Sequence, residues 1–330
     1  MTTALVRPIF VVGCPRSGTT LVQCILSASS QAFSLPETHF FSYVLPEMGR
    51  LPDDPLEASD LARARALLEA EADLPDLGNF WAALAERLGQ TAPPLTALDV
   101  FVALVEHFRP PDGASQRAIE KTPLHVLCLE WIGACFPDAV VVNVVRDPID
   151  VTSSLLGVPW QSSRSVIAHA ARWMESVGAA EAYAAAHPER LVTVVYERLV
   201  REPEAEVRRL CAFVGLDYEP AMLDEFGQQA ARNVGRGETW KRDVGSGVLL
   251  NRAGVWRSRM TPGQAWLVAR ATADRAGAYG YAVPPGVGRP SIAQAALQEA
   301  RVRFAEARPN SGLVGAARHA GSVLKAFGAA

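Results

Sequence analysis

Lysine is almost missing from this chain: of 32 basic residues only Lys121, Lys241 and Lys325 are lysines, and the other 29 are arginines. A skew of that size reads as overall composition, so each remaining lysine is a candidate for a position where a compact ammonium is wanted. Net charge is also lacking. At -3 it excludes a global pull toward nucleic acid or an anionic membrane, and any anion site must be a local concentration of donors. No CxxC pair occurs; the five cysteines (Cys14, Cys24, Cys128, Cys135, Cys211) are odd in number and several sit in apolar helical patterns. Neither a disulfide framework nor a zinc site is expected, and the usage suits a reducing compartment. The first apolar run opens at Ile9 without a basic leader and ends at Gly13, too short for a signal-peptide core or a membrane span, so the expected location is the cytoplasm. Internal repeats are absent too.

What is present suffices for a large core: 330 residues, 49% hydrophobic, fit one α/β domain with insertions. Pro8 to Gly13 reads as a buried strand, and Thr19 to Ser29 as a helix with Leu21, Val22, Ile25 and Leu26 at helical spacing. From Pro46 to Ser115 the composition shifts to Ala, Leu, Glu, Asp and Pro, with helical stretches around Ala62–Ala72 and Phe80–Leu88, which predicts a helical insertion over 46–115. Val126 to Phe136 reads as a helix stopped by Pro137, followed by a central strand from Ala139 to Val145. Leu191 to Tyr196 is another β-rich run, and Glu204 to Val214 a helix closed by Gly215. Alternation of strand and helix predicts a parallel sheet. Five glycines among charges over 232–254 predict a mobile loop, and residues 284–330 a C-terminal helical arm suited to self-association, leaving 1–283 as the main domain.

Chemistry concentrates first in the segment Gly13-Cys14-Pro15-Arg16-Ser17-Gly18-Thr19-Thr20. A turn between strand and helix points its amides and the helix N-terminus into one anion-binding concavity. Its glycine spacing is that of a nucleotide P-loop, but Thr19 stands where such a loop carries the lysine that reaches β and γ phosphates. The cation is Arg16, inside the turn, whose fork suits a 5′-phosphate and adjacent oxygens.

With PRSGTT before a helix, the chain resembles the PAPS-dependent sulfotransferases, in which this turn is the 5′-phosphosulfate loop for 3′-phosphoadenosine 5′-phosphosulfate (PAPS). The resemblance implies an α/β, P-loop-like three-layer sandwich with a central parallel sheet and a helical insertion. It continues in Arg146-Asp147-Pro148 with Ser154 eight positions after Arg146, similar to the family's 3′-phosphate site. Tyr196-Glu197-Arg198-Leu199 resembles a segment of bacterial and tyrosylprotein-type members, where Tyr196 either stacks near the adenine or is a core tyrosine. In the late loop, where cytosolic members carry Arg-Lys-Gly for the 3′-phosphate, this chain has Asn251-Arg252-Ala253-Gly254-Val255-Trp256, which keeps Arg252 and one glycine. The implied donor ligands are Arg16, Ser17, Gly18, Thr19, Thr20, Arg146, Ser154, Tyr196 and Arg252, with PAP as product and no metal.

Sulfuryl transfer is an in-line displacement through a loose transition state, so it needs positioned cations and one base. The resemblance assigns Lys121, in Glu120-Lys121-Thr122-Pro123, to the leaving oxygen, with Arg16 assisting. Cytosolic members place a histidine base two residues after such a lysine, but that position is Pro123 here. Glu37, in Pro36-Glu37-Thr38-His39-Phe40-Phe41, matches the glutamate base of tyrosylprotein and heparan-type members; His39 and His125 are the other candidates. Acceptor binding is expected over 46–115, with carbohydrate, lipid, natural-product and peptide acceptors all compatible. A P-loop small-molecule kinase lacks its lysine after Gly18. A non-catalytic PAP-binding protein would need neither Lys121 nor Glu37.

Overall fold

Alternate side chains of the first strand, β1 (Ile9–Gly13), enter different cores: Phe10 and Val12 join one hydrophobic cluster, Ile9 and Val11 another. That is the signature of a strand covered on both faces. The computed structural model describes residues 7–71, 77–88, 94–111, 116–158, 161, 163–233, 252–291 and 294. From β1 the chain passes through α1 (Thr19–Ser27), β2 (Ala32–Ser34), a π-helical turn (Phe40–Val44) and α2 (Leu45–Met48). Helices α3 (Ala58–Glu71), α4 (Gly78–Leu88) and α5 (Ala97–His107) precede β3 (Arg117–Lys121). A 3₁₀ stretch (Pro123–Cys128) leads into α6 (Leu129–Cys135), β4 (Val140–Val145), α7 (Pro148–Leu156), α8 (Val166–Ala186) and β5 (Leu191–Val195). After β5 come α9 (Tyr196–Arg201), α10 (Pro203–Val214), α11 (Ala221–Asp224), α12 (Phe226–Asn233) and α13 (Pro262–Ala276). Among the described residues no helix is long and apolar enough to cross a membrane.

Contacts divide the described residues into two compact units, one of 7–13, 18–144 and 179–233, the other of 14–17, 145–178 and 252–294. The first holds the five-stranded sheet, ordered β2-β3-β1-β4-β5. The β1–β3, β1–β4 and β2–β3 ladders are parallel. On one face lie α4, α5 and α6, through Phe80, Trp81, Phe101, Leu104 and Ile132; on the other α1, α10 and α12, through Ile25, Leu26, Leu210, Val214 and Phe226. This is the expected three-layer α/β sandwich. Phe101 sits 6.2 Å from Phe10 and 5.0 Å from Phe41, ring to ring. Burying such a side chain contributes about 2–3 kcal/mol. So α5, within the segment expected as an insertion, packs directly on the sheet.

At the carboxyl end of β1, Gly13 (φ +145) approaches β4 so closely that a Cβ would lie 2.4 Å from the Val144 carbonyl oxygen. Crossovers from β1 go first to β2 and β3 on one side and later to β4 on the other, which makes this strand end the topological switch point. Both motifs with a phosphate-binding pattern begin where these two strands stop, and they open the second unit. Its core gathers Ile149, Val166, Trp256, Trp266 and Leu267, with a further cluster around Cys14, Val145, Trp173 and Val177.

Several boundaries differ from the sequence reading. Pro123 favours a 3₁₀ start, so the helix expected over 126–136 is α only from Leu129. Tyr196 opens α9 rather than ending β5. Of the loop expected at 232–254, residues 234–251 lie outside the described residues, as do 292–293 and 295–330 of the arm.

Candidate functional site

In the second unit, Arg16 lies in the left-handed region (φ 75), a conformation costing a residue with a side chain about 1 kcal/mol or more. Its Nε donates to Ser154 Oγ at 3.0 Å, joining the first motif to α7 across 138 positions. Arg146 Nη1 reaches the Arg16 carbonyl at 3.4 Å, and its Nη2 donates to the Arg252 carbonyl at 2.8 Å. Trp173 Nε1 holds the Arg146 carbonyl at 2.9 Å. Ser17 Oγ, fully buried, has no hydrogen-bond partner among the described residues; nor do Thr152 Oγ1 and Ser153 Oγ of α7. Two guanidinium groups beside buried hydroxyls make a local donor surface that fits an anion such as a phosphate.

Two carboxylates missed as such by sequence reasoning support this cluster. Asp147, which resembles a metal carboxylate in sequence, is the N-cap of α7: its Oδ1 accepts Ile149 N–H at 2.7 Å, with Pro148 next. Asp150, 2% exposed, accepts Gly254 N–H at 2.6 Å and Trp256 N–H at 3.0 Å. The late segment is thus held to Arg146 and Asp150 by main-chain atoms, Arg252 included. An acid three residues past an N-cap was the only sequence signal for Asp150. Cys14 is inert: burial pushes its thiol up to about 12, with Arg172 and Ser176 only partly opposing.

In the first unit, Lys121 ends β3 fully buried and its Nζ donates to Glu37 Oε1. Glu37 keeps 17% side-chain exposure, and its Oε2 lies 3.5 Å from His39 Nε2. The residues assigned to the leaving oxygen and the base are therefore in direct contact. His39 occupies a left-handed backbone position (φ 52) just before the π-helical turn, a combination common at functional sites. Burial pushes its imidazole below the ordinary value, Glu37 opposing, so it is neutral near pH 7. His125, fully buried, has both ring nitrogens engaged, Nδ1 with Glu120 at 2.9 Å and Nε2 with Phe41 N–H at 3.1 Å. It is not placed to take a proton from an acceptor.

Gly18 (φ 102) precedes Thr19 and Thr20, the buried first residues of α1. Tyr196, 5% exposed, lays its ring where a Cβ on Gly18 would be, 2.6 Å from Cδ2. Its place in the hydrophobic cluster is that of a core tyrosine buttressing the turn.

Comparison with known proteins matches residues 8–220 to the family described as Sulfotransferase family. Nodulation protein NoeE of Sinorhizobium fredii is 26% identical over 232 residues, 64% of this chain and 50% of that protein. An uncharacterized Aquifex aeolicus protein is 26% identical over 234 residues, 67% of this chain and 27% of that one. The chain thus spans half or less of the length of these curated relatives. Among solved structures, the "Sulfotransferase Domain from the Curacin Biosynthetic Pathway" superposes with TM-score 0.57 at 22% identity, covering 86% of this chain and 100% of the other. The corresponding domain of the Synechococcus PCC 7002 olefin synthase gives 0.59 at 21%, covering 86% and 99%. By the family match over most of its length, and with a fold that agrees, this chain belongs to the sulfotransferase family.

Proposed function

We propose that the chain transfers a sulfuryl group from PAPS to a hydroxyl or amine acceptor. The observation that carries this reading is the Arg16 Nε to Ser154 Oγ bond, which brings the motif resembling a 5′-phosphosulfate loop onto the motif resembling a 3′-phosphate site. Arg16, Ser17, Gly18, Thr19 and Thr20 take the 5′-phosphosulfate, Arg146 and Ser154 the 3′-phosphate, with Arg252 contributing through its segment and Tyr196 supporting the turn. The acceptor oxygen or nitrogen attacks sulfur; the bond from sulfur to the phosphate oxygen breaks; PAP leaves. Glu37 takes the acceptor proton, and Lys121 offsets charge that grows on the leaving oxygen, helped by Arg16. No step calls for a metal.

The acceptor class is a small molecule, carbohydrate, lipid or natural product, bound beneath the helices of 46–115. Five cysteines outside any disulfide favour a reducing, cytoplasmic setting, and the arm at 284–330 is assigned to self-association. Two measurements test the reading. Thermal stabilisation by PAP should exceed that by ATP with Mg²⁺, because only PAP carries a 3′-phosphate; equal shifts would overturn the donor assignment. Labelled PAPS, offered with acceptors of each class and read by mass shift, should yield a sulfated product.

A further inference from the structure

Four consecutive main-chain amides beside Glu37 find side-chain acceptors. Thr38 N–H and His39 N–H both donate to Thr122 Oγ1, at 3.1 and 3.2 Å. Phe40 N–H donates to Thr38 Oγ1 at 3.3 Å, and Phe41 N–H to His125 Nε2 at 3.1 Å. An N–H can only donate, so His125 Nε2 carries its lone pair and Nδ1 its proton. Every hydrogen these three side chains can offer goes to one carboxylate. Thr38 Oγ1 and Thr122 Oγ1 donate to Glu120 Oε1 at 2.9 and 2.7 Å, and His125 Nδ1 to Oε2 at 2.9 Å.

Glu120 is 1% exposed; Thr38, Thr122 and His125 are fully buried. A hydroxyl whose proton is committed to a carboxylate presents only lone pairs to the backbone, and an imidazole whose Nδ1 proton is so committed presents only Nε2. The carboxylate thereby sets the direction of all four amide bonds. Glu120 and Lys121 are neighbours on β3, and Thr38 and Glu37 are neighbours in the facing segment. Two cross-links, Glu120–Thr38 and Lys121–Glu37, therefore stand side by side. Between them the array holds the left-handed residue His39, which the backbone alone disfavours.

We infer that Glu120 is a positioning residue for sulfuryl transfer, orienting Thr38, Thr122 and His125 so that their acceptor atoms fix the Glu37–Phe41 backbone and aim Glu37 at Lys121. This rests on the assignment of Glu37 and Lys121 to the reaction. Burial pushes Glu120 up, but the nearby His125 and the hydrogen bonds from His125, Thr122 and Thr38 more than offset it, and the carboxyl lies below its usual range. It is thus an ionised, acceptor-only group, as three incoming donors require. Glutamine at this position offers an oxygen to one side and an NH₂ to the other. Either the two threonines or His125 would then face a donor, and the amides they hold would lose their acceptors.

The test compares Glu120→Gln, Thr122→Val and Thr122→Ser with wild type. Readouts are hydrogen exchange of the amides of residues 38–41, the ¹⁵N tautomer signature of His125, PAP affinity, and kcat and KM for PAP release from PAPS with phenol as probe acceptor. Thr122→Val should exchange the amides of residues 38 and 39 at least tenfold faster, and Glu120→Gln either those of 38–40 or that of 41; both variants should lose about 10–100-fold in kcat, the scale of an ångström of misplacement, with PAP affinity within about twofold. Thr122→Ser keeps the hydroxyl and should match wild type. The inference is overturned if Thr122→Val keeps both the exchange pattern and kcat, if serine fails like valine, or if exchange accelerates equally through β1 and β3. Should Glu120→Gln not fold, the threonine pair carries the test. If the exchange and tautomer changes occur while wild type releases no PAP, the array stands and the catalytic assignment falls.

Discussion

Glu37→Gln keeps the side-chain volume but removes the charge that faces a fully buried ammonium, and the consequences for stability and turnover should separate. Removing one member of a buried ion pair outright costs about 3–5 kcal/mol. Glutamine still offers an amide oxygen, and the site keeps 17% exposure, so a cost of about 2 kcal/mol is expected here. Lys121→Met removes the ammonium at similar length and leaves Glu37, which reaches water; about 1 kcal/mol is expected. The double variant has no charge to strand, so it should be no less stable than Glu37→Gln alone, a coupling of about 1–2 kcal/mol. Turnover should not recover with it: loss of a general base lowers kcat roughly 10²–10⁴-fold, and the double variant lacks both groups. Urea unfolding of the four proteins gives the cycle, and PAP titration beside a sulfation assay gives the chemistry. Additive stabilities would refute the buried pair. Near-normal turnover in Glu37→Gln would refute it as the base and turn attention to His39→Ala.

Arg146→Ala should erase most of the preference for PAP over ATP with Mg²⁺ in a thermal-shift assay; a retained preference would mean that the 3′-phosphate is read elsewhere. Gly13→Ala places a methyl 2.4 Å from the Val144 carbonyl oxygen in a backbone region hostile to side chains, and should lower stability in urea unfolding by about 2–4 kcal/mol; a change below about 1 would refute the close approach. Acid sensitivity follows from Glu120. Its folded value lies below its ordinary 4.5, so its stabilisation is complete above pH 4.5 and is lost as pH falls through the depressed folded value. Unfolding free energies measured from pH 6 to 3 should therefore fall more steeply in wild type than in Glu120→Gln below pH 4.5, and parallel profiles would refute an ionised Glu120.

The donor motifs were legible because each is short, local and anchored to a buried strand dominated by valine. Strand β3 was not. Its sequence, Arg-Ala-Ile-Glu-Lys, ends in two charges that ordinarily mark a surface, and what allows them to be buried is supplied by Glu37 and Thr38 more than 80 positions earlier. The acceptor array was illegible for the same reason: Thr38, Thr122 and His125 are unremarkable singly, and only the fold shows that their protons converge. The place of α5 in the core was likewise hidden, since Phe101 gains its meaning from Phe10, Phe40 and Phe41.

The attachment of the 252–256 segment through peptide atoms has a practical side. Carbonyl 252 and amides 254 and 256 carry its hydrogen bonds to Arg146 and Asp150, and every amino acid except proline provides both groups. A randomised library at positions 253 and 255 should therefore retain docking wherever φ permits, while Gly254, at φ +79, should resist replacement. A segment gripped through its peptide groups can keep that grip with a different alphabet of side chains at 253 and 255, which offers a protein engineer two positions to vary on a fixed frame.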